Sequence, residues 1–548
     1  MTIDAGSDAV VGPCSGMPGD VHSAELQSGG ETRYYSLHVP SDYACQKAWP
    51  LLVDFHGTGT GAPTDPVEES WAFDEMLAAA DAEHFIVMRP RSRYKNINGE
   101  NIFQWDINAG DEDRNRTFAT ELISDLETRY NIDPQRVYAA GFSNGPSQAL
   151  EFLQNEPPIV HGYMVVSGGL NRPLTTPKQL TAADGRIYVS VGYRDYMWST
   201  TRELYTFLTQ HAFDMSRWWQ RESNTGHELY GWHYKEAFAW IDRGERSAKG
   251  TVASGWSAET LPTPASITSL TKDSAGLVHA VGVGGAFRRS AAGAWTQTLS
   301  LGAAGLPLHL DSVCFLANGT GLAIGEASRY VTTDGLTWTA APAIPEEYTD
   351  EGFGGAYINA IVCSGDTITA AGLWTAAHSA DDGATWTRAS VASYGAQSFV
   401  TTLRRSVQGT YLAAGYDDYL GRSTDGVTFV ASTIGAEIQW WNDVAPDDHG
   451  GWWAVGEKGT LVHSVDDGAN FTAAVSPTTE DLYAVSFRDA LVGLIAGGHG
   501  AVFVTHDGGG SWTDMSTGLD GYIGAITWLD ASRVLIAGEH GAVLKRSM

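Results

Sequence analysis

The chain has 548 residues, of which 43% are hydrophobic and 18% charged, and it carries 63 glycines and a formal net charge of −30. Such a balance fits a globular protein with large cores and many tight turns. It argues against a nucleic-acid partner, which needs clustered Lys and Arg, and the charge is read as a solubilising surface. No run of about 18 apolar residues occurs, so neither a spanning helix nor a membrane partner is expected.

Up to about residue 245, short apolar runs alternate with helical stretches. The runs are PLLVDFHG (50–57), FIVMRP (85–90), RVYAAGFSNG (136–145), GYMVVSGG (162–169), RIYVSVGYRD (186–195) and SRWWQRES (216–223). They lack polar alternation, as strands covered on both faces do. Across 117–130, Phe118, Leu122, Ile123 and Leu126 recur at helical spacing and make one apolar stripe. Alternation of this kind predicts a mainly parallel sheet with helices on both faces.

Four cysteines are present and none forms a CxxC pair. Cys14 and Cys45 flank the first predicted strand region, and a disulfide between them would fasten the N-terminal arm. Cys314 and Cys363 are expected to be buried free thiols. No His or Cys cluster has metal-ligand spacing, so no metal and no cofactor are expected.

The stretch GFSNGPSQAL (141–150) places Gly141, Ser143 and Gly145 in a G-x-S-x-G pattern. It follows a strand and opens a helix, the context in which the motif holds a serine on a sharp turn at the sheet edge. A serine hydroxyl needs a base to take its proton. Acid and base should follow in that order, after the last two strands. Asp195 and His227 do so, whereas Glu203 reads as a solvated helix residue, and the alternative bases His211 and His233 lie at the end of a predicted helix and at the entry to the last one. An oxyanion hole requires backbone N–H donors. Asn144, just after the serine, supplies one. The loop HGTGTG (56–61) supplies the other, with Thr58 as candidate and Gly57 or Gly59 close behind. His56 shapes this loop and is grouped with the pocket residues.

The segments FHGTG, YNIDPQRVYAAGFSNG, GYRD and TGHE resemble the secreted esterases related to polyhydroxybutyrate depolymerases, feruloyl esterases and acetylxylan esterases, over roughly residues 25–242. The resemblance implies an α/β-hydrolase fold with Ser143 as nucleophile, Asp195 as acid and His227 as base. It also implies that Trp105, in FQWD, contacts substrate; core packing is the alternative. The chain departs from the pattern where the family continues with a second glycine and this sequence has Pro146. A proline is tolerated in the first helical turn, where the missing N–H is no loss. The N-terminus lacks the basic start and apolar core of a signal peptide. The resemblance to secreted esterases implies a secreted or extracytoplasmic chain, with its signal peptide removed.

After residue 250 a repeat takes over. Its shared glycines are Gly282, Gly325, Gly372, Gly415, Gly456, Gly497 and Gly538, spaced by 43, 47, 43, 41, 41 and 41 residues, the length of a four-stranded propeller blade. Each repeat ends near S/T-x-D-x-G-x-x-W, complete at Ser379, Asp381, Gly383 and Trp386 and again at Thr505, Asp507, Gly509 and Trp512. In the set Ser464, Asp466 and Gly468, Phe471 replaces the Trp. This resembles the Asp-box (BNR) repeats of sialidase-like and photosystem-assembly-factor-like propellers. The last repeat stops short, and SGW (254–256) supplies a spare turn and aromatic, so first and last strands are expected to close seven blades.

The expected organisation is an α/β-hydrolase esterase domain over 1–245, a linker over 246–253, and a seven-bladed all-β propeller over 254–548. The expected activity is carboxylic ester hydrolysis, with an ester, possibly polymeric, as substrate. The propeller binds that polymer or stabilises the enzyme. Trp374, Trp440, Trp441, Trp452 and Trp453 are candidates to stack on a polymer, with inter-blade packing as the alternative. A non-catalytic interaction protein with a degenerate hydrolase part is one rival reading, and a serine peptidase another. Against the peptidase, prolyl-oligopeptidase-like enzymes place their propeller before or within the catalytic part.

Overall fold

The computed structural model describes residues 15–548 except 61–72, 98, 106–109, 171–173, 175–177, 193–194, 196, 224–226, 228, 246–249, 264, 302–308, 326–327, 343, 345–356, 374–375, 392–399, 416–418, 436–439 and 448. It divides into two units, Met1–Ser247 and Ala248–Met548.

The first unit is organised by strands with apolar residues on both faces. These are β1 (Gly19–Ser28), β2 (Glu31–Val39), β3 (Trp49–Phe55), β4 (Ile86–Pro90), β5 (Ile132–Phe142), β6 (Gly162–Val166), β7 (Arg186–Gly192) and β8 (Trp218–Ser223). They form one sheet in the order β1-β2-β4-β3-β5-β6-β7-β8. The first two are antiparallel to each other and β2 is antiparallel to β4. From β4 to β8 every pairing is parallel. Successive side chains in a strand serve opposite faces. Leu51, Val53 and Phe55 therefore enter one core, with Val137 and Ala139, while Leu52, Tyr138 and Ala140 enter the other.

Helices cover both faces. Phe118, Leu122, Ile123 and Leu126 of α2 (Asp111–Arg129) and Leu204 and Leu208 of the helix Trp198–Gln210 complete the first core. Met76, Ala79 and Ala80 of α1 (Phe73–Glu83) and Tyr234, Ala237 and Phe238 of the helix Gly231–Phe238 complete the second. The α2 helix starts well before the apolar stripe because its first turns bury polar Asp111 and Asn115, which a hydrophobic pattern cannot register.

The second unit is a seven-bladed propeller of seven sheets, each built on four antiparallel strands, with a short fifth strand added in parallel to two of them, Ser390–Val391 and Thr433–Ile434. The repeat glycines end the second strand of each blade for a steric reason. At Gly282, Gly456, Gly497 and Gly538 a Cβ would collide with the carbonyl oxygen of Ser266, Trp440, Asp481 and Tyr522 respectively, at the start of the same blade's first strand. Closure pairs Ser257–Ala258 with Val543–Ser547, in the register Ser257↔Lys545 and Ala258↔Leu544. The indole of Trp256 donates to the Met515 carbonyl at 2.7 Å.

The recurrent turns are held by their own side chains. Ser379 Oγ donates to Asp381 Oδ1 at 2.8 Å and accepts from the Gly383 N–H at 2.9 Å, while the Thr385 N–H reaches Asp381 Oδ1 at 2.8 Å. The sets at Ser464 and Thr505 repeat this pattern. Hydrogen bonds, first from Asn470 and from Ser511, hold Asp466 and Asp507 down to about 2. These carboxylates are therefore ionised in the folded protein at any pH well above about 2.

One expectation changes here. Cys314 and Cys363 are not free thiols but a disulfide, with Cα atoms 5.5 Å apart. They lie on Ser312–Phe315 and Tyr357–Ser364, the first strands of successive blades, which run beside each other. Replacing both by Ser is expected to lower stability by about 2–4 kcal/mol, read as a shift in the denaturant midpoint. Cys45 is also disulfide-bonded, while Cys14 lies outside the described residues. For the described tryptophans the inter-blade packing alternative holds. Trp440, Trp441, Trp452 and Trp453 are 7%, 0%, 0% and 2% exposed, so they pack the blades and offer no stacking surface. Trp453 shows the reason: it stacks on His463 and Phe487 and meets Trp512 edge-on. Trp374 lies outside the described residues.

Candidate active site

The turn at 141–145 is forced by close approach. A Cβ at Gly141 would run into the backbone of Gly145 and Pro146, and one at Gly145 into the carbonyl of Phe55 on β3. Only glycine lets β5 turn this sharply into the short helix Gly145–Leu150, in whose first turn Pro146 stands. The apex, Ser143, has φ +59°. That left-handed backbone costs a non-glycine residue roughly 1–2 kcal/mol. The Ser143 N–H donates to the Val166 carbonyl of β6 at 3.1 Å, which fixes the apex to the sheet.

Asp195 and His227 follow β7 and β8 and reach the same sheet edge. His227 Nε2 lies 2.8 Å from Ser143 Oγ, and His227 Nδ1 lies 3.0 Å from Asp195 Oδ1. With Nδ1–H donating to the carboxylate, the Nε2 lone pair faces the hydroxyl. Asp195 is buried, and its Oδ1 also accepts the Met197 N–H at 2.8 Å. A neighbour that the motif did not reveal is Phe142. Its ring lies 4.9 Å from the imidazole of His227, tilted by 36°.

The loop after β3 lies against the serine. A Cβ on Gly57 would sit 3.2 Å from Ser143 Cβ, a tight contact that a larger residue could make only if the serine or the loop shifted by a few tenths of an ångström. Thr58 is exposed, and its Oγ1 accepts from Gln104 Nε2 at 3.1 Å. His56 turns away from the relay. Its Nδ1 donates to the Gly57 carbonyl at 2.5 Å, and its Nε2 accepts the Ser92 N–H at 3.1 Å. These partners define one neutral tautomer.

Burial, which outweighs the carbonyl of Gly57, pushes the His56 imidazole down to about 3. The folded state therefore binds this proton more weakly than the unfolded chain, whose His titrates near 6.5. The stabilisation is full above about pH 6.5 and is lost as pH falls towards about 3. Thermal unfolding at pH 7 and pH 4 should show a smaller acid-induced drop for His56→Asn than for the parent.

Trp105 is 1% exposed and sits beneath the site. Its N–H donates to Asn144 Oδ1 at 2.8 Å, its indole N–H donates to the His56 carbonyl at 2.7 Å, and its carbonyl accepts from Asn115 Nδ2 at 2.7 Å. It thus ties the elbow, the 56–58 loop and α2 together, which is the packing alternative and not a pocket-facing aromatic. Asn115 carried no sequence signal beyond being a polar residue on the buried side of a helix.

The sheet order, the glycine-framed elbow and the serine–histidine–aspartate relay define an α/β-hydrolase fold, followed in the chain by a seven-bladed propeller. No protein-family profile matches the chain. Among curated proteins it is similar to a bifunctional acetylxylan esterase/xylanase, XynS20E, of Neocallimastix patriciarum, with 31% identity over 116 residues, 21% of this chain and 15% of that protein. It is similar to a putative esterase, NocK, of Nocardia uniformis subsp. tsuyamanensis, with 30% identity over 150 residues, 27% of this chain and 42% of that protein. It is also similar to poly(3-hydroxyalkanoate) depolymerase C of Paucimonas lemoignei, with 28% identity over 136 residues, 24% of this chain and 30% of that protein. The chain thus spans less than half the length of each of these relatives. Among solved structures, YCF48 bound to D1 peptide is 20% identical with a TM-score of 0.45, covering 55% of this chain and 99% of that one.

Proposed function

We propose that the chain is a carboxylic ester hydrolase working through a Ser143–His227–Asp195 triad. The observation that carries this reading is the unbroken relay, 2.8 Å from hydroxyl to imidazole and 3.0 Å from imidazole to carboxylate. His227 takes the Ser143 proton as the hydroxyl oxygen bonds to the ester carbonyl carbon. Asp195 keeps the imidazole in the productive tautomer and stabilises the imidazolium. The backbone N–H of Asn144 and one from the 57–58 loop receive the oxyanion. His227 returns the proton to the departing alcohol, and water then releases the acid from Ser143 by the same steps in reverse.

The names of the relatives, an acetylxylan esterase/xylanase and a hydroxyalkanoate depolymerase, support an ester carried on a polymer. The disulfide of Cys314 and Cys363 supports an oxidising, extracytoplasmic setting. The buried tryptophans favour a propeller that stabilises the chain over one that grips polymer by ring stacking.

A fluorophosphonate probe tests the reading, because labelling requires an activated serine. Stoichiometric labelling that maps to Ser143 is expected. Folded protein that takes no label at Ser143 would make the chain a non-catalytic interaction protein. Turnover of anilides as fast as matched esters would make it a peptidase.

A further inference from the structure

His227 lies in the connection from β8 to the helix Gly231–Phe238, whose N-cap is Tyr230. Where that connection ends governs where the base can stand. The Tyr230 N–H donates to His233 Nδ1 at 2.9 Å, and the His233 N–H returns to the Tyr230 carbonyl at 3.1 Å. This is a capping box in which an imidazole takes the place usual for Glu or Gln. Its second nitrogen reaches further. His233 Nε2 lies 3.0 Å from Ser190 Oγ on β7, the strand that leads to Asp195. A backbone N–H can only donate, so Nδ1 is the acceptor, and Nε2 carries the proton and donates to the Ser190 hydroxyl.

His233 and Ser190 are each 1% exposed, so water does not compete for these bonds. The Ser190 carbonyl accepts the Ser167 N–H at 2.8 Å, and the carbonyl of the preceding Val166 holds the Ser143 N–H. The end of the base's connection is thereby tied across β7 and β6 to the nucleophile. The acid by itself fixes the imidazole less firmly. Asp195 Oδ1 serves both the His227 ring and the Met197 N–H, while Oδ2 is buried with no hydrogen-bond partner among the described residues. One carboxylate oxygen therefore holds the imidazole, and a second hold through its backbone is needed to keep the geometry.

We propose that His233 is a positioning residue for the base: bridging Tyr230 and Ser190, it sets how the His227 imidazole stands between Asp195 and Ser143, without itself touching substrate. Its effect on turnover rests on the esterase reading above; its effect on the His227–Asp195 hydrogen bond does not.

The test compares two variants of the full chain. His233→Leu removes both nitrogens, and His233→Gln restores the usual capping-box acceptor. His233→Leu is expected to lower kcat for p-nitrophenyl acetate by roughly 30-fold or more with KM within about twofold, and His233→Gln to recover to within about threefold of the parent. In an Asp195→Asn background, where the relay is already broken, His233→Leu should cost less than about twofold further, because two changes acting on one hydrogen bond are not additive. A general loosening of the core would multiply the two losses instead. The low-field proton on His227 Nδ1, read by NMR with isotope-labelled histidine, should be present in the parent, weakened or lost in His233→Leu and regained in His233→Gln. An undiminished proton in folded His233→Leu, or multiplied losses with Asp195→Asn, overturns the proposal. Should His233→Leu fail to fold, Ser190→Ala removes only the far end of the bridge and is expected to lower kcat by about threefold with the same weakening of the resonance; an unchanged resonance there overturns the proposal equally. A parent that shows the proton but hydrolyses no ester would sink the esterase reading, and the resonance in the variants would still decide the role of His233.

Discussion

Ser143→Ala is expected to lower kcat for p-nitrophenyl acetate by roughly 10⁴-fold or more, with the fold unchanged. The relay has one nucleophile, and without Ser143 Oγ the imidazole 2.8 Å away has no hydroxyl to activate. Because the three groups act as a unit, adding His227→Ala should cost little more than Ser143→Ala alone. Stability gives an independent check. Ser143 holds φ +59°, which alanine would also have to adopt and glycine adopts freely. Ser143→Gly should therefore raise the melting temperature relative to Ser143→Ala while being equally inactive. Retention of a tenth or more of parental turnover in either variant would place the chemistry elsewhere.

The elbow was legible because its glycines answer to local sterics. Gly141 and Gly145 are demanded by backbones that the motif itself brings together, so the sequence pattern and the collision are one fact. Asp195 and His227 were legible for a different reason: a parallel sheet delivers each loop to the same edge, so order along the chain becomes proximity in space. Trp105 was not, because its role depends on the Asn144 side chain and the His56 carbonyl, 39 and 49 residues away, and no local pattern encodes those bonds.

In the propeller the period gave both blade count and closure, since a steric rule recurs at the second-strand glycines Gly282, Gly456, Gly497 and Gly538. What the period could not give was which side chains meet between blades. Cys314 and Cys363 are separated by 49 residues, near one repeat, yet bonding depends on neighbouring strands facing each other. Trp452 and Trp453 are adjacent on one strand and so face opposite ways, and the period left stacking and inter-blade packing both open for them. Both faces proved to be interior: Trp452 enters one inter-blade core and Trp453 the next.

Arg89→Met is expected to destabilise the first unit by about 3–5 kcal/mol. Arg89 on β4 and Asp54 on β3 stand side by side, Nε 2.8 Å from Oδ2, with side chains only 2% and 4% exposed. Burial raises the Asp54 carboxyl above its usual range, and the Arg89 charge opposes that rise. Removing Arg89 leaves only the long Tyr234 hydroxyl contact, at 3.4 Å, to oppose burial, so the carboxyl must take up a proton or remain as a poorly compensated charge. A raised folded pKa means that the protonated form is the one folding favours. The variant's deficit should therefore be smaller at pH 4 and grow as pH rises towards 7. Asp54→Leu combined with Arg89→Met removes both charges and should restore most of the loss, because the pair's attraction largely offsets the cost of burying it. Urea unfolding of parent, single and double variants at both pH values measures this cycle. A single variant within about 1 kcal/mol of the parent at pH 7 would mean that water reaches the pair. The same two strands lead directly into His56 and Arg91, so loosening their register should lower esterase turnover as well as stability.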